Sequence, residues 1–157
     1  MKAKKILLMV SMLTLLAIGT CSASIKADEV ALGGLPYDSS LEYIEQIYGK
    51  PVSNSTTGSH PLWKGVITTL KYGDSVVLTM RDDKLIHADC YADNGWATPE
   101  LIVVGSTKKL VEKTYGEPDS KTKDSWYYAS DTDNTLGIKF VFGKDDEVRS
   151  IHIGYFD

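Results

Sequence analysis

A short helical pattern that ends in Tyr-Gly-x-Pro occurs twice in the chain and constrains the fold more than any other feature. The first copy covers residues 39–51 and the second covers 106–118, with Tyr48 and Tyr115 67 positions apart. In each copy a hydroxyl residue can cap the first turn, and apolar residues recur at helical spacing. The glycine and proline then prevent further helix. Two short helices with the same stop signal predict an internal repeat.

The first helix can be predicted in more detail from its end signals. Ser39 is the predicted N-cap, because Glu42 stands three residues further on and completes the capping-box spacing. Gly49 is placed to end the helix in the left-handed conformation, and Pro51 blocks its continuation. A helix this short is marginal alone in water, so it must pack on other elements.

Three strands are predicted after each helix, from β-rich runs separated by turn signals. The polar stretch 54–59 reads as a loop, and the last strands of the two copies align with an offset of 63 residues. The turn after Met80 is one residue shorter than the turn after Phe142, which predicts a bulge or a different turn in one copy. The predicted strands are 66–72, 76–80, 85–92, 126–128, 138–142 and 148–155, with a further short strand at 101–104.

The repeat divides the chain and sets its fold class. We predict two tandem α-β-β-β units, at 28–98 and 99–157. A unit of about 60 residues buries too little surface to be stable as a separate domain. The two units are therefore expected to pack their helices on a shared or adjoining antiparallel sheet, which makes the predicted class α+β.

Residues 1–27 have the order of a secretory signal. Three lysines near the start precede an apolar run, 6–18, which small residues follow. The run is shorter than the about 20 apolar residues of a membrane-spanning helix, and no transmembrane helix is predicted in the mature chain. Cleavage can follow Ala23 or Ala27, and Ala27 is favoured because Asp28 then opens a polar mature end. We expect an exported protein, periplasmic or extracellular.

The charge of the mature chain excludes one class of partner. The full chain has a formal net charge of −4, and residues 1–27 contain four lysines and no acidic residue, so the mature chain has −8. Nucleic acids and anionic membrane surfaces select basic patches. No nucleic-acid partner is therefore expected.

The two cysteines fall on different sides of the predicted cleavage site. Cys21 lies in the signal and Cys90 in the mature chain, so no intramolecular disulfide can form after cleavage. The residues before Cys21 resemble a bacterial lipobox, except that Thr20 stands where glycine, alanine or serine is expected. The favoured interpretation of Cys21 is a discarded signal residue, and the alternative is a lipidation site.

The order of elements, with the Tyr-Gly-x-Pro ends and the acidic turns, resembles two families. One is the β-lactamase-inhibitor-protein-like (BLIP-like) architecture, and the other is the SmpA/OmlA family of small outer-membrane lipoproteins. The resemblance implies a non-enzymatic scaffold in which the open face of the sheet meets a protein partner. The inhibitor's disulfides have no counterpart in a mature chain with one cysteine. The residues that carry the resemblance are Ile44, 48–51, Val111, 115–118, Phe140, Phe142, 145–146 and Val148.

The spacing of reactive residues indicates no catalytic or metal-binding set. Cys90 and His87 are three positions apart on one strand and point to opposite faces, which leaves Cys90 without a base. The histidines His60, His87 and His152 share no short ligand spacing. We therefore predict no enzyme activity, no metal and no cofactor.

Aromatic side chains form the candidate partner-binding set. Strand alternation places His87, Asp89, Tyr91 and His152 outward, on the face opposite Cys90. Tyrosine and tryptophan dominate protein interfaces, although such rings can also cap the edges of a core. The predicted partner-binding residues are Tyr72, Tyr91, Trp126, Tyr127, Tyr128, His87 and His152.

The predicted function is an exported, non-enzymatic module that binds an unidentified protein in the cell envelope or outside it. The alternative is an envelope-anchored lipoprotein that supports outer-membrane assembly. This alternative requires lipidation of Cys21.

Overall fold

The computed structural model describes residues 24–58 and 64–156. These residues form two short helices and two antiparallel sheets, one of eight strands and one of two, so the predicted α+β class is confirmed. A 3-10 turn at Ala27–Glu29 precedes the first strand. The elements are β1 (Ala31–Leu32), β2 (Leu35–Pro36), α1 (Leu41–Tyr48), β3 (Ser53–Thr57), β4 (Ile67–Tyr72), β5 (Val76–Arg81), β6 (Lys84–Cys90), α2 (Lys108–Tyr115), β7 (Ser120–Lys121), β8 (Ser125–Ala129), β9 (Leu136–Phe142) and β10 (Val148–Tyr155).

The large sheet has the strand order β3-β4-β5-β6-β10-β9-β8-β7. Each run of four strands is a meander in which every strand pairs with the next one in the chain. The two runs join where β6 and β10 pair antiparallel. The last strand after each helix thus lies at the centre of the sheet, and the unit boundaries 28–98 and 99–157 stay a prediction.

The prediction of three strands after each helix is wrong, because four follow each one in the described chain. The missed strands are β3 and β7, the two edges of the sheet. All five residues of β3 are exposed, so the strand has no apolar alternation and is held by its backbone ladder with β4. Conversely, the predicted strand at 101–104 has no regular structure.

Both central hairpins contain a β-bulge. The register shifts after Thr79 in the β5–β6 pair and before Ser150 in the β9–β10 pair. The two hairpins differ in their turns, since β5 and β6 are joined by residues 82–83 and β9 and β10 by residues 143–147. The prediction of a different turn in one copy is confirmed, and the bulge is present in both.

Each helix is capped by the hydroxyl residue directly before it. Ser40, rather than the predicted Ser39, accepts a hydrogen bond from the Tyr43 backbone N–H (3.2 Å), while the Ser39 hydroxyl donates to the Pro36 carbonyl (2.6 Å). Thr107 caps α2 in the same way. Gly49 ends α1 at a positive φ of 73°, which favours glycine, but its ψ of −164° is extended rather than left-handed helical.

One face of the large sheet packs against the two helices and forms the core. Ile44 of α1 and Val111 of α2 are fully buried. The tyrosines that end the helices also pack here. Tyr115 is buried and its hydroxyl donates to Thr98 Oγ1 (2.8 Å), whereas Tyr48 is half-buried and donates to the Gly33 carbonyl. Buried strand residues on this face include Leu70, Val76, Leu78, Met80, Leu85, Ala88, Cys90, Trp126, Tyr128, Ile138, Phe140, Phe142, Val148, Ile151 and Ile153.

The first described residues are part of the core. Ile25 is 4% exposed, and its carbonyl accepts a hydrogen bond from the Asp131 N–H (2.8 Å). Ile25 belongs to the predicted signal, 1–27, and only cleavage after Ala23 would keep it in the mature chain. We therefore propose cleavage after Ala23. Cys21 and residues 1–23 of the predicted signal lie outside the described residues, and no helix within 24–58 and 64–156 has the length and apolarity needed to cross a membrane.

A chain that starts at Asp28 should be less stable than one that starts at Ser24. Losing Ile25 empties a core position and removes a backbone hydrogen bond, which we expect to cost about 2–4 kcal/mol in the free energy of unfolding. Urea denaturation of the two chains measures the difference, with Ile25→Ala in the longer chain as the matched control. Equal stabilities, or an exported protein whose intact mass begins at Asp28, would contradict the proposal.

Candidate functional site

The face of the large sheet opposite the helices carries the candidate site, and we call it the open face. Ala88, Cys90, Ile151 and Ile153 are buried on the helix side, as predicted. The side chains between them project to the other side. Those that matter for the site are His87, Asp89, Ser150 and His152, together with Lys139 of β9, Tyr127 of β8 and Tyr91, which directly follows β6.

A chain of hydrogen bonds runs across the middle of the open face. His152 of β10 lies opposite Asp89 of β6 in the strand register, and its Nδ1 is 2.6 Å from Asp89 Oδ1. The other ring nitrogen, Nε2, is 2.8 Å from Ser150 Oγ. The Asp89 and His152 side chains are only 20% and 17% exposed, so these contacts are largely shielded from water.

The carboxylate fixes the direction of these hydrogen bonds. An ionised carboxylate can only accept, so His152 Nδ1 must carry the proton that it shares with Asp89. In a neutral imidazole the other nitrogen is then the acceptor, and the Ser150 hydroxyl donates to it. The three side chains therefore form one ordered chain of donors and acceptors.

Tyr91 lies at one side of these hydrogen-bonded side chains. Its ring centroid is 5.5 Å from that of His152, at an interplanar angle of 76°, which is an edge-to-face contact. The residue is 51% exposed. Partial burial, and to a lesser extent the Asp89 carboxylate, raise the pKa of the Tyr91 phenol, so it stays neutral and can donate a hydrogen bond.

A second aromatic group lies over two paired glycines. Gly154 of β10 is opposite Gly137 of β9, and a side chain at Gly137 would collide with the Tyr127 ring. The Tyr127 ring lies against Gly137 and the His87 ring against Gly154. Phe156 contacts both rings, with its ring centroid 5.3 Å from that of Tyr127 and 5.5 Å from that of His87. A groove of about 350 Å³ runs beside Tyr127 and Phe156.

The Tyr127 ring is held in place. Its hydroxyl donates to the Asn134 carbonyl (3.0 Å). Burial, with smaller contributions from Asp133 and Asp119, raises the pKa of Tyr127 to about 12, so this phenol also remains protonated at neutral pH. Lys139 lies above the Phe156 ring, with Nζ 5.8 Å from the ring centroid.

The structure brings together four of the predicted partner-binding residues, namely His87, Tyr91, Tyr127 and His152. It also adds Phe156, which sequence reasoning missed because the residue follows the last strand. The Phe156 backbone N–H donates a hydrogen bond to the Thr135 carbonyl (2.7 Å), and no sequence pattern predicts this contact.

Three predicted partner-binding residues lie on the helix side instead, so the structure does not bring them to the open face. Trp126 and Tyr128 flank Tyr127 in β8 and therefore point to the opposite face, where they are 9% and 1% exposed. Tyr72 packs edge-on against Tyr48 at the end of α1, and its hydroxyl donates to the Gly49 carbonyl (3.0 Å).

Cys90 is packed in the core. Its side chain is fully buried, and its thiol donates to the Ala92 carbonyl (3.3 Å) and to Asn94 Oδ1 (3.4 Å). Burial raises the pKa of this thiol despite those two contacts. His60 lies outside the described residues, and across 24–58 and 64–156 no three histidine, cysteine, aspartate or glutamate side chains cluster as a metal site would require.

Comparison with known proteins identifies the fold but no family. No family model and no curated protein matches the sequence. An extracellular protein with an SCP domain from Bacillus anthracis has a similar fold, with a TM-score of 0.53 and 12% identity over 75% of this chain and 44% of that one. A cysteine-rich secretory protein from Staphylococcus aureus matches with a TM-score of 0.50 and 10% identity over 85% and 49% of the two chains. The present chain thus spans less than half the length of either protein.

A weaker likeness concerns the predicted BLIP-like architecture. A Streptococcus mutans protein that is provisionally described as a β-lactamase inhibitor matches 85% of this chain and 92% of its own. Its TM-score is 0.34 and its identity is 11%, and we base no argument on it. The resemblance to the SmpA/OmlA family stays a prediction.

The Cys90 thiol should react slowly in the folded protein. A buried, neutral thiol is a poor nucleophile, so we expect a maleimide to label native protein at least about tenfold more slowly than protein unfolded in urea. Intact-mass spectrometry follows the labelling, and Cys90→Ala serves as the blank. Equal rates in the two states would show that this side chain is accessible.

Alanine at Gly137 should destabilise the sheet beneath Tyr127. The added methyl group would collide with the Tyr128 carbonyl oxygen and the Tyr127 ring, which we expect to cost about 1–3 kcal/mol. Gly58→Ala is the matched control, because nothing lies within 4 Å of the added methyl group there. Thermal unfolding measures both changes, and similar effects of the two substitutions would disagree with this packing.

Proposed function

We propose that the chain is an exported module that binds a protein partner through its open face. The observation that carries this proposal is the pair of aromatic groups, Tyr91 on one side and Tyr127 with Phe156 on the other. Between them lies a polar chain whose members already satisfy one another. Aromatic anchors around a satisfied polar centre are typical of protein-binding surfaces.

The open face is prepared for binding before a partner arrives. The Tyr127 hydroxyl donates a hydrogen bond to the Asn134 carbonyl, and the Phe156 ring packs edge-on against the rings of Tyr127 and His87. Such side chains lose little rotamer freedom when a partner covers them, so more of the contact energy becomes affinity. The protonated Tyr91 phenol also offers a hydrogen-bond donor at one edge of the surface, whereas the Tyr127 hydroxyl already donates to Asn134.

Export is supported by the signal-like residues 1–27 and by the descriptions of the two proteins of similar fold as extracellular and secretory. We place the protein in the periplasm or outside the cell. The acidic mature chain supports a protein partner rather than a nucleic acid. No described residue favours the lipoprotein alternative.

Removing the two phenols of the open face should weaken partner binding. We expect Tyr91→Ala combined with Tyr127→Ala to lower the affinity for the partner by at least about tenfold, because the two aromatic anchors are lost. The partner is isolated from envelope and culture extracts with the mature protein as bait. Isothermal titration calorimetry then compares the variants with the wild type.

Tyr43→Ala provides the matched control for this experiment. Tyr43 is 43% exposed but belongs to α1, on the other side of the sheet. The control should bind as the wild type does, and thermal unfolding should show that both variants remain folded. A partner bound equally by the double variant, or one that is lost with Tyr43→Ala alone, would place binding elsewhere.

A further inference from the structure

The chain Asp89–His152–Ser150 has the connectivity of an activated serine nucleophile. A hydroxyl lies 2.8 Å from one imidazole nitrogen, and a carboxylate oxygen lies 2.6 Å from the other. These are the distances at which a base can take a proton from a nucleophile while an acid holds the base in the required tautomer. The connectivity comes from residues on two strands, since Asp89 and His152 are 63 positions apart.

The sheet holds this arrangement firmly. Asp89 and His152 face each other in the β6–β10 register, and Ser150 and His152 are two positions apart on β10, so all three side chains project to the same face. Ser150 follows directly after the β-bulge in the β9–β10 pair. Bulges re-aim side chains and are over-represented next to active sites.

Approach to Ser150 is from the open face. The Ser150 residue is 5% exposed, and the half-exposed Tyr91 ring packs edge-on against His152, the hydrogen-bond partner of Ser150. An exposed tyrosine ring changes rotamer on the nanosecond scale, so it limits the size of what reaches Ser150 rather than closing the site. The near-complete burial of Ser150 restricts the substrate class to small activated esters.

We infer that Ser150 is a nucleophile that accepts the acyl group of small activated esters, with His152 as its base and Asp89 as the positioning residue. The Ser150 Oγ–acyl carbon bond forms, the bond from acyl carbon to leaving oxygen breaks, and the serine proton passes to His152 Nε2 and then to the leaving phenolate. Water, deprotonated by His152, later attacks the acyl carbon and releases the carboxylic acid and Ser150. This activity goes beyond partner binding and would overturn the sequence-based expectation that the chain is not an enzyme.

A fluorophosphonate probe tests the first step without requiring turnover. Attack by Ser150 forms an oxygen–phosphorus bond and expels fluoride, so the mature protein should gain the mass of the probe less HF. Peptide mapping should place the label on Ser150, and Ser150→Ala should remain unlabelled. Ser55→Ala, which removes an exposed hydroxyl on β3, is the matched control and should be labelled as the wild type is.

The roles of the other two residues are tested by rate. A positioned general base contributes typically about 10²–10⁴-fold, so His152→Gln should slow labelling by at least about 10²-fold. Asp89→Asn should slow it by at least about tenfold, because the amide can favour the wrong tautomer of His152.

Thermal unfolding of each variant separates loss of the fold from loss of chemistry. Labelling of Ser150 that depends on both His152 and Asp89, together with release of phenolate from p-nitrophenyl acetate, supports the inference. It is overturned if the wild type is not labelled, if label persists in Ser150→Ala, or if folded His152→Gln is labelled at the wild-type rate. None of these results depends on whether a protein partner is found.

Discussion

The pairing of β6 with β10 is the contact on which the rest of the structure depends. Each helix with its four strands covers about 50 residues, 41–90 or 108–155, a size at which a domain is marginal on its own. Joining the two last strands converts two small sheets into one, with β6 and β10 at its centre. The polar and exposed strands, β3 and β7, are left at the edges, where an exposed side chain costs little.

This pairing also explains why the two faces of the sheet differ. Both helices cover the same face, so the apolar positions of β6 and β10 are buried there, and the alternate positions gather on the other side. Asp89 and His152 therefore lie opposite each other where β6 pairs with β10. Their side chains are largely buried there, so an unpaired charge would be poorly solvated. Their hydrogen bond satisfies both groups and leaves one imidazole nitrogen for Ser150. The polar centre of the open face follows from how the halves join.

The sequence predicts those parts of the fold that burial determines. The strands β5, β6, β9 and β10 have strong apolar patterns, and the prediction of 148–155 coincides with β10. The sequence does not predict the edge strand β3, because backbone hydrogen bonds stabilise this strand without burying its side chains. At the site, alternation correctly put His87, Asp89, Tyr91 and His152 outward. The same alternation around Tyr127 excludes Trp126 and Tyr128 from the open face, since neighbours in a strand cannot share a face.

The Asp89–His152 contact agrees with the internal repeat, but the repeat alone does not determine it, because the 63-residue offset does not locate the centre of symmetry. With an offset of 63, Asp89 corresponds to His152, and Cys90 corresponds to Ile153. In an antiparallel pair of corresponding strands, a residue meets its own counterpart only at the centre of symmetry, and other positions exchange partners across it. The register obeys this rule, since Cys90 pairs with Ile151 while Asp89 pairs with His152. Asp89 and His152 meet because the centre of symmetry lies at this pair. This is how a chain without a catalytic motif in its sequence can still assemble a serine, a histidine and an aspartate in space.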